Sequence, residues 1–217
     1  MATPTGRADR QRRERRDARQ RILDAASRLL EEHRWHDLRL EDVMSAAGLS
    51  RTAFYRHFDD RHTLLLAMLE QVSVGVRETG RTWKAGAGGA VEELRAGLTE
   101  LAEAMREHGR LMQAIADSAA YDVEISAARD EMVRYFVAVT ADRIRADVAA
   151  GASGVRSPEK VAEALVRMNE SVLLDAFGRP PYPPLEDVVP TMCEVWAVTI
   201  YGRDALDAAD RSDQRST

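Results

Sequence analysis

LEDVMSAAGLSRTAFYRHF, residues 40–58, decides how the chain is read. Leu40, Val43 and Ala47 give a short helix a single apolar face. Gly48 suits the positive backbone angle of a tight turn. Leu49 can plug the angle between two helices, and Ser50 is a good N-cap for the next one. In that second helix Phe54 and Phe58, spaced i and i+4, point inward with Ala53 beside them. Arg51, Thr52, Tyr55 and Arg56 fall on the opposite face and stay available to a partner. A helix that reads DNA needs this division: apolar behind, hydrogen-bonding in front, and short enough for its first half to enter the major groove. An ordinary αα-hairpin with a solvated outer face would share the apolar spacing. The aromatic and basic composition of the outer face favours the first reading.

Upstream the chain is rich in arginine: Arg7, Arg10, Arg12, Arg13, Arg15, Arg16, Arg19 and Arg21 stand against Asp9, Glu14 and Asp17. Beside a helix-turn-helix such an arm reads as phosphate-binding and salt-sensitive. Residues 1–62 carry 14 Lys and Arg against 11 Asp and Glu, whereas residues 63–217 carry 17 against 25. A basic end on an acidic body predicts that one end meets a polyanion.

Elsewhere the pattern is helical. Residues 5–157 contain no proline, so helices can run unbroken there. Glycines at 86, 88 and 89 mark one loop, and Gly151 and Gly154 another. Apolar stripes run through Ile22–Leu30, Leu65–Val76, Leu94–Met105, Met132–Ile144, Val161–Val172 and Leu185–Ile200. No alternating strand interrupts them. The expectation is an all-α chain of about nine helices, with a three-helix unit before a larger helical domain. The boundaries read as a flexible arm over 1–16, a helix-turn-helix domain over 17–62, a ligand-binding and dimerisation domain over 63–202, and a flexible polar tail over 203–217.

Several function classes drop out. A single cysteine, Cys193, can form no intramolecular disulfide and no cysteine-based zinc site. The five histidines, at 33, 36, 57, 62 and 108, form no metal-ligand pattern. No nucleophile elbow, Walker loop or dinucleotide fingerprint is present. No enzyme activity, metal or cofactor is expected. No apolar run approaches the roughly 18–20 residues of a membrane span, and the amino-terminal stretch lacks the apolar core of a signal peptide. The expected setting is the cytoplasm, without membrane contact.

Residues 17–69 resemble the DNA-binding domain of TetR-family transcriptional regulators. The likeness is carried by AAGLSRTAFYRHF, Asp59-Asp60-Arg61 and the Leu64-Leu65-Leu66 run. The resemblance implies base or backbone contacts from Arg51, Thr52, Tyr55 and His57, with Arg61 on phosphate. Ser50 and Arg56 complete the candidate set. Where the family usually has Ser or Thr capping the first helix of the motif, this chain has Arg39, a candidate for direct phosphate contact.

The segment Leu165–Gly202, with Met168-Asn169-Glu170 and Trp196…Ile200-Tyr201-Gly202, is similar to the carboxy-terminal part of EthR-like members of that family. The likeness implies a long, mostly apolar ligand tunnel lined by Asn169 and Trp196. Leu94, Leu101 and Met105 stand where that branch tends to have bulkier rings, so the ligand differs accordingly. From the residues alone, Asn169 has Leu165, Val166, Val172 and Leu173 around it on the helix, and an unpartnered buried amide costs roughly 1–3 kcal/mol. A ligand, a neighbouring helix, a water or a dimer interface could each satisfy it. Leu98, Phe136, Met168, Leu173, Phe177 and Trp196 are lining candidates too, although a Met, Trp or Phe on a helix stripe is usually plain packing.

The expected whole is a repressor that binds a palindromic operator in double-stranded DNA as a homodimer and is released by a small apolar effector. Its dimer surface is expected from helices of about 158–177 and 185–201, joined by the proline-rich loop Gly178–Pro184. An effector would act by moving the helix of about 61–82. A helical interaction module without DNA binding, or an activator on the same fold, are the alternatives.

Overall fold

The computed structural model describes residues 4–79, Trp83 and residues 89–216, with side chains described over 9–79, at 83 and over 89–211. Among the described residues there are nine helices and no strand. They are α1 (Pro4–Glu32), α2 (Leu40–Ala46), α3 (Arg51–Phe54), α4 (Arg61–Glu78), α5 (Ala90–Ala119), α6 (Val123–Ala149), α7 (Pro158–Phe177), α8 (Leu185–Tyr201) and α9 (Arg203–Ser216). The chain divides into two compact units, Met1–Gln71 and Val72–Thr217.

In the first unit Ile22, Leu23, Ala25, Ala26 and Leu30 of α1 are buried. They share a core with Val43 and Met44 of α2, Ala53 and Phe54 of α3, Phe58, and Leu64, Leu65 and Met68 of α4. α1 packs on α2, and α2 on α3. The sequence reading sets residues 1–16 apart as an arm. In the structure the chain is helical from Pro4, continuous with the apolar stripe that begins at Ile22. No proline interrupts that stretch, and an i,i+4 pair, Arg10 Nε to Glu14 Oε1 at 3.3 Å, lies along it.

In the second unit α5 packs on α6, α7 and α8, and α6 lies along α7. Asp122 caps α6 by accepting from the backbone N–H groups of Glu124 and Ile125. Pro158 occupies the first turn of α7, where its missing N–H costs nothing. Both α7 and α8 have the ranges read from the sequence. The tail differs. Residues 203–216 form α9, which packs on α8 and α5 with Leu206 and Ala209 buried and Asp210 paired to Arg95 at 2.7 Å. Two apolar positions three residues apart are enough to seat an otherwise polar helix. The division between units also falls after Gln71 rather than after residue 62, because Leu64, Leu65 and Met68 complete the first core. Residues 80–82, the end of the expected 61–82 helix, lie outside the described residues, as do Gly86 and Gly88. No helix among the described residues is long and apolar enough to cross a membrane.

One contact sets how closely α5 meets the end of α7. A Cβ on Gly109 would lie 2.6 Å from the Phe177 carbonyl carbon and closer still to its oxygen. Backbone there cannot step aside as a side-chain tip can. Alanine gains about 1 kcal/mol over glycine as a helix former, but overpacking typically costs about 1–3 kcal/mol. Gly109→Ala is therefore expected to lower unfolding stability by up to about 2 kcal/mol, read as a lower midpoint in urea with unchanged slope. A rise in midpoint would show that the two helices are not held at that distance.

Candidate nucleic-acid interface and ligand cavity

The helix-turn-helix is built as its residue types require. Gly48 sits at φ +63°, a conformation other residues rarely adopt. The Ser50 hydroxyl accepts the Ala53 N–H at 3.3 Å and so opens α3. Regular α-helix lasts only through Phe54. The next turn tightens, with His57 N–H donating to the Phe54 carbonyl at 2.8 Å and Arg56 N–H to that of Ala53 at 3.3 Å. Phe54 and Phe58 are buried with ring centroids 5.5 Å apart. Tyr55 leans edge-on against Phe54 yet is 52% exposed, so its ring braces on the core while its hydroxyl end is turned outward.

Arg51, Thr52, Tyr55 and Arg56 are all exposed, and His57 is partly covered. The structure thus brings these five candidates onto one strip of surface. Arg51 is drawn to Glu41 of α2 across 2.6 Å, with both side chains well exposed, so the pair is weak and breakable. Hydrogen bonding to Tyr55 raises the Arg51 pKa further. His57 has its pKa lowered, first by burial and then by the positive charge of Arg15, Arg56 and Arg19. Burial does most of this, and the three guanidinium groups near the imidazole add positive charge to the same patch.

Two further candidates, Arg39 and Arg61, sit apart from this strip. Arg39 precedes α2 without a side-chain cap; its backbone carbonyl takes the first helical N–H groups while its side chain is exposed. Arg61 is partly buried, and its guanidinium lies over the Trp35 ring, 4.9 Å from the centroid, and donates to the Trp35 carbonyl. Burial lowers its pKa. The expected phosphate ligand is therefore engaged in tying the start of α4 to the chain after α1. The amino end of α4 is held also by Asp60, whose carboxylate accepts from the backbone N–H and the hydroxyl of Thr63 at 2.8 and 2.9 Å. Those bonds hold its pKa below the usual carboxylate value.

The arginines of α1 carry a role that composition did not show. Arg21 Nη2 donates to the Ala47 carbonyl at 2.6 Å and to that of Gly48 at 3.2 Å. Arg15 donates to the Arg56 carbonyl at 3.2 Å, and Arg19 lies over Phe58 at 5.3 Å. Three residues expected to seek phosphate are instead turned onto the motif. Arg15 and Arg19, four residues apart, leave α1 on one side, whereas Arg21, two residues further on, reaches the turn from another.

The second unit holds a cavity with about 120 Å³ of room for the centres of water-sized molecules. That is well above the ~10–15 Å³ at which a cavity first holds a single water, so it is a chamber and not a packing flaw. Leu94, Leu98, Leu101, Met105, Phe136, Asn169, Leu173 and Trp196 line it, eight of the ten residues read from the sequence. Met168 does not, because one residue before Asn169 turns it about 100° around α7. Phe177 is fully buried beyond the lining, with its ring 6.4 Å from that of Tyr182. Trp83, Thr140 and Glu170 were not anticipated as lining. Trp83 lies in a stretch with no helical period to flag it.

Asn169 is 4% exposed, and the Trp196 indole N–H donates to its Oδ1 at 2.9 Å. An indole can only donate, so the amide orientation is fixed. Among the described residues nothing accepts from Asn169 Nδ2. Glu170 also lines the cavity, but its carboxylate is paired with Arg129 at 2.8 Å.

A helix-turn-helix with an electropositive outer strip and a separate helical unit enclosing an apolar cavity define a two-part helix-turn-helix regulator. Residues 22–68 match the family described as bacterial regulatory proteins, tetR family, and residues 94–202 match the EthR transcriptional regulator C-terminal domain. The chain belongs to the TetR family of transcriptional regulators and to its EthR-like branch. It is 30% identical over 187 residues to the regulator EthR of Mycobacterium tuberculosis H37Rv, covering 84% of this chain and 87% of that protein. EthR of Mycolicibacterium smegmatis is 27% identical over 192 residues, covering 83% and 85%. Among solved structures, a transcriptional regulator from Saccharomonospora viridis in complex with choline has a TM-score of 0.71 at 18% identity, covering 86% of this chain and 98% of that one. A TetR-family regulator from Streptomyces coelicolor has a TM-score of 0.69 at 18% identity, covering 84% and 80%.

Because Arg21 closes the turn from α1, Arg21→Met should lower unfolding stability by about 1.5–3 kcal/mol, the range for hydrogen bonds to a charged group. Chemical denaturation of the full chain measures it. An unchanged midpoint would mean that the arginine is free for another task.

Proposed function

We propose that the protein is a transcriptional repressor that binds a palindromic DNA operator as a homodimer and releases it when a small, mostly apolar effector fills the cavity of the second unit. The observation that carries the proposal is the exposed strip of Arg51, Thr52, Tyr55 and Arg56, set on a rigid Phe54–Phe58 base. His57 sits at its edge amid arginines, where a phosphate would be drawn. Four regular residues of α3 offer too few contacts for tight specific binding by one copy. Two copies about 34–36 Å apart read successive major grooves and require a twofold site.

The dimer surface we assign to α7 and α8. Ala164, Thr191 and Val195 are exposed there, small or apolar positions set among charged ones such as the Glu163–Arg167 pair and Glu194. Effector chemistry follows from the lining. Asn169 Nδ2 supplies donors, Glu170 is already neutralised by Arg129, and the rest is mainly hydrocarbon and sulfur. A neutral molecule with one hydrogen-bond acceptor fits this environment better than an ion. α4 supplies Leu65 and Met68 to the first core and Val76 to the cavity wall, so a single rigid element can carry the signal. Release by a hundredfold needs about 2.7 kcal/mol of preference for one state.

Titrating the protein with duplex DNA from the region upstream of its own gene tests the reading. With about six phosphate contacts per dimer, affinity should fall roughly a thousandfold between about 50 and 200 mM salt. Arg51→Ala with Tyr55→Ala should abolish preference for that DNA while the protein remains folded. Binding without salt dependence or unaffected by the double substitution would sink the proposal and favour a module that acts through protein contacts.

A further inference from the structure

Trp83 is 5% exposed and is held from several sides by groups of the second unit. Its ring meets Trp196 edge-on, with centroids 5.8 Å apart. Its indole N–H donates to the Tyr201 hydroxyl at 3.1 Å, and that hydroxyl donates to Asp147 Oδ2 at 2.8 Å. Arg143 Nε donates to both oxygens of Asp147 at 2.9 Å, and the Arg143 guanidinium also lies 5.4 Å from the Trp83 ring centroid and donates to the Trp83 carbonyl. Glu93 adds a second carboxylate 3.5 Å from Arg143. Burial pushes the Tyr201 phenol further above its already high ordinary pKa, so it remains a donor to Asp147 while it accepts from Trp83. Burying one cation and two anions is a poor way to gain stability. It is an effective way to fix one indole ring.

The position being fixed is a boundary. Trp83 lines the inner cavity and Tyr201 does not. Tyr201 lines a separate cleft with Ala90, Val91, Ala152, Ala205 and Ala209, and Trp83 does not. The hydrogen-bonded pair stands between the two spaces. Removing the indole would lengthen the inner cavity toward that alanine-lined cleft.

We propose that Trp83 sets the upper size of the effector and that Tyr201 and Arg143 are positioning residues that hold it. The inference rests on the cavity being the effector site. With the indole in place, the chamber admits a neutral molecule of limited length, its acceptor on Asn169 Nδ2 and its hydrocarbon against the leucines and methionines.

The test uses straight-chain methyl ketones of about six to sixteen carbons, with binding to the full-length protein measured by calorimetry. For the unsubstituted protein, affinity should climb about fourfold per added methylene and stop climbing at a definite length within the series. In Trp83→Ala the climb should continue for several more carbons, so that the longest ketones bind at least tenfold tighter than to the parent. Trp83→Phe should fall between the two. Tyr201→Phe removes the anchoring hydroxyl but keeps the ring. It should move the break toward longer chains while leaving short ketones unaffected, and it decides the matter if Trp83→Ala does not fold. A break at the same length in all four proteins would overturn the role of Trp83 and leave the effector site standing. If no ketone binds the parent at any length, the effector-site reading fails and this inference falls with it.

Discussion

An amide buried among hydrocarbon must find partners, and the Asn169–Trp196 hydrogen bond is the constraint around which the second unit is arranged. It fixes the register of α7 against α8, because the indole N–H reaches one oxygen across 2.9 Å. It fixes the orientation of the carboxamide, because only the oxygen can accept. It places Trp196 where Trp83 can rest its ring. The donors left on Asn169 then give a mostly apolar chamber, which Thr79 and Thr140 also line, a neutral polar feature in its wall.

The first unit solves a different problem, presenting charge without losing shape. Its outer strip needs arginines and a tyrosine in water, and its base needs two phenylalanines out of water. What joins the two demands is a set of arginines that serve as fasteners. Arg21 holds the turn at Gly48, Arg15 holds the carbonyl of Arg56, and Arg61 is clamped to Trp35. Positive charge is thereby concentrated around His57, while much of it is spent on internal geometry. The side chains left for a polyanion are fewer than the composition suggests.

The sequence made most of the fold legible because apolar spacing is a local signal. The ranges of α7 and α8, the turn at Gly48 and the inward rings of Phe54 and Phe58 all follow from periods and residue types within a few positions. Most of the cavity was legible too, since Leu94, Leu98, Leu101 and Met105 recur on one face of α5. What escaped were long-range pairings. Nothing local distinguishes Arg21, which bonds the turn, from Arg12, which does not. Trp83 joins the wall through partners more than fifty residues away along the chain. Phe177 was a plausible lining residue by type, yet the close approach of Gly109 puts it in the packing between α5 and α7. The polar tail was read as loose because Leu206 and Ala209 are too few to make a strong stripe, though enough to seat a helix.

The account depends on α4 belonging to both units: Leu64, Leu65 and Met68 complete one core and Val76 closes the other chamber. Operator affinity of a variant whose cavity is filled from within tests that dependence without knowledge of the natural effector. Leu98→Trp places an indole where the effector would lie. The account predicts a folded dimer whose operator affinity is lower by about a hundredfold, equivalent to about 2.7 kcal/mol. A folded dimer with the chamber filled and its grip on DNA intact would contradict it.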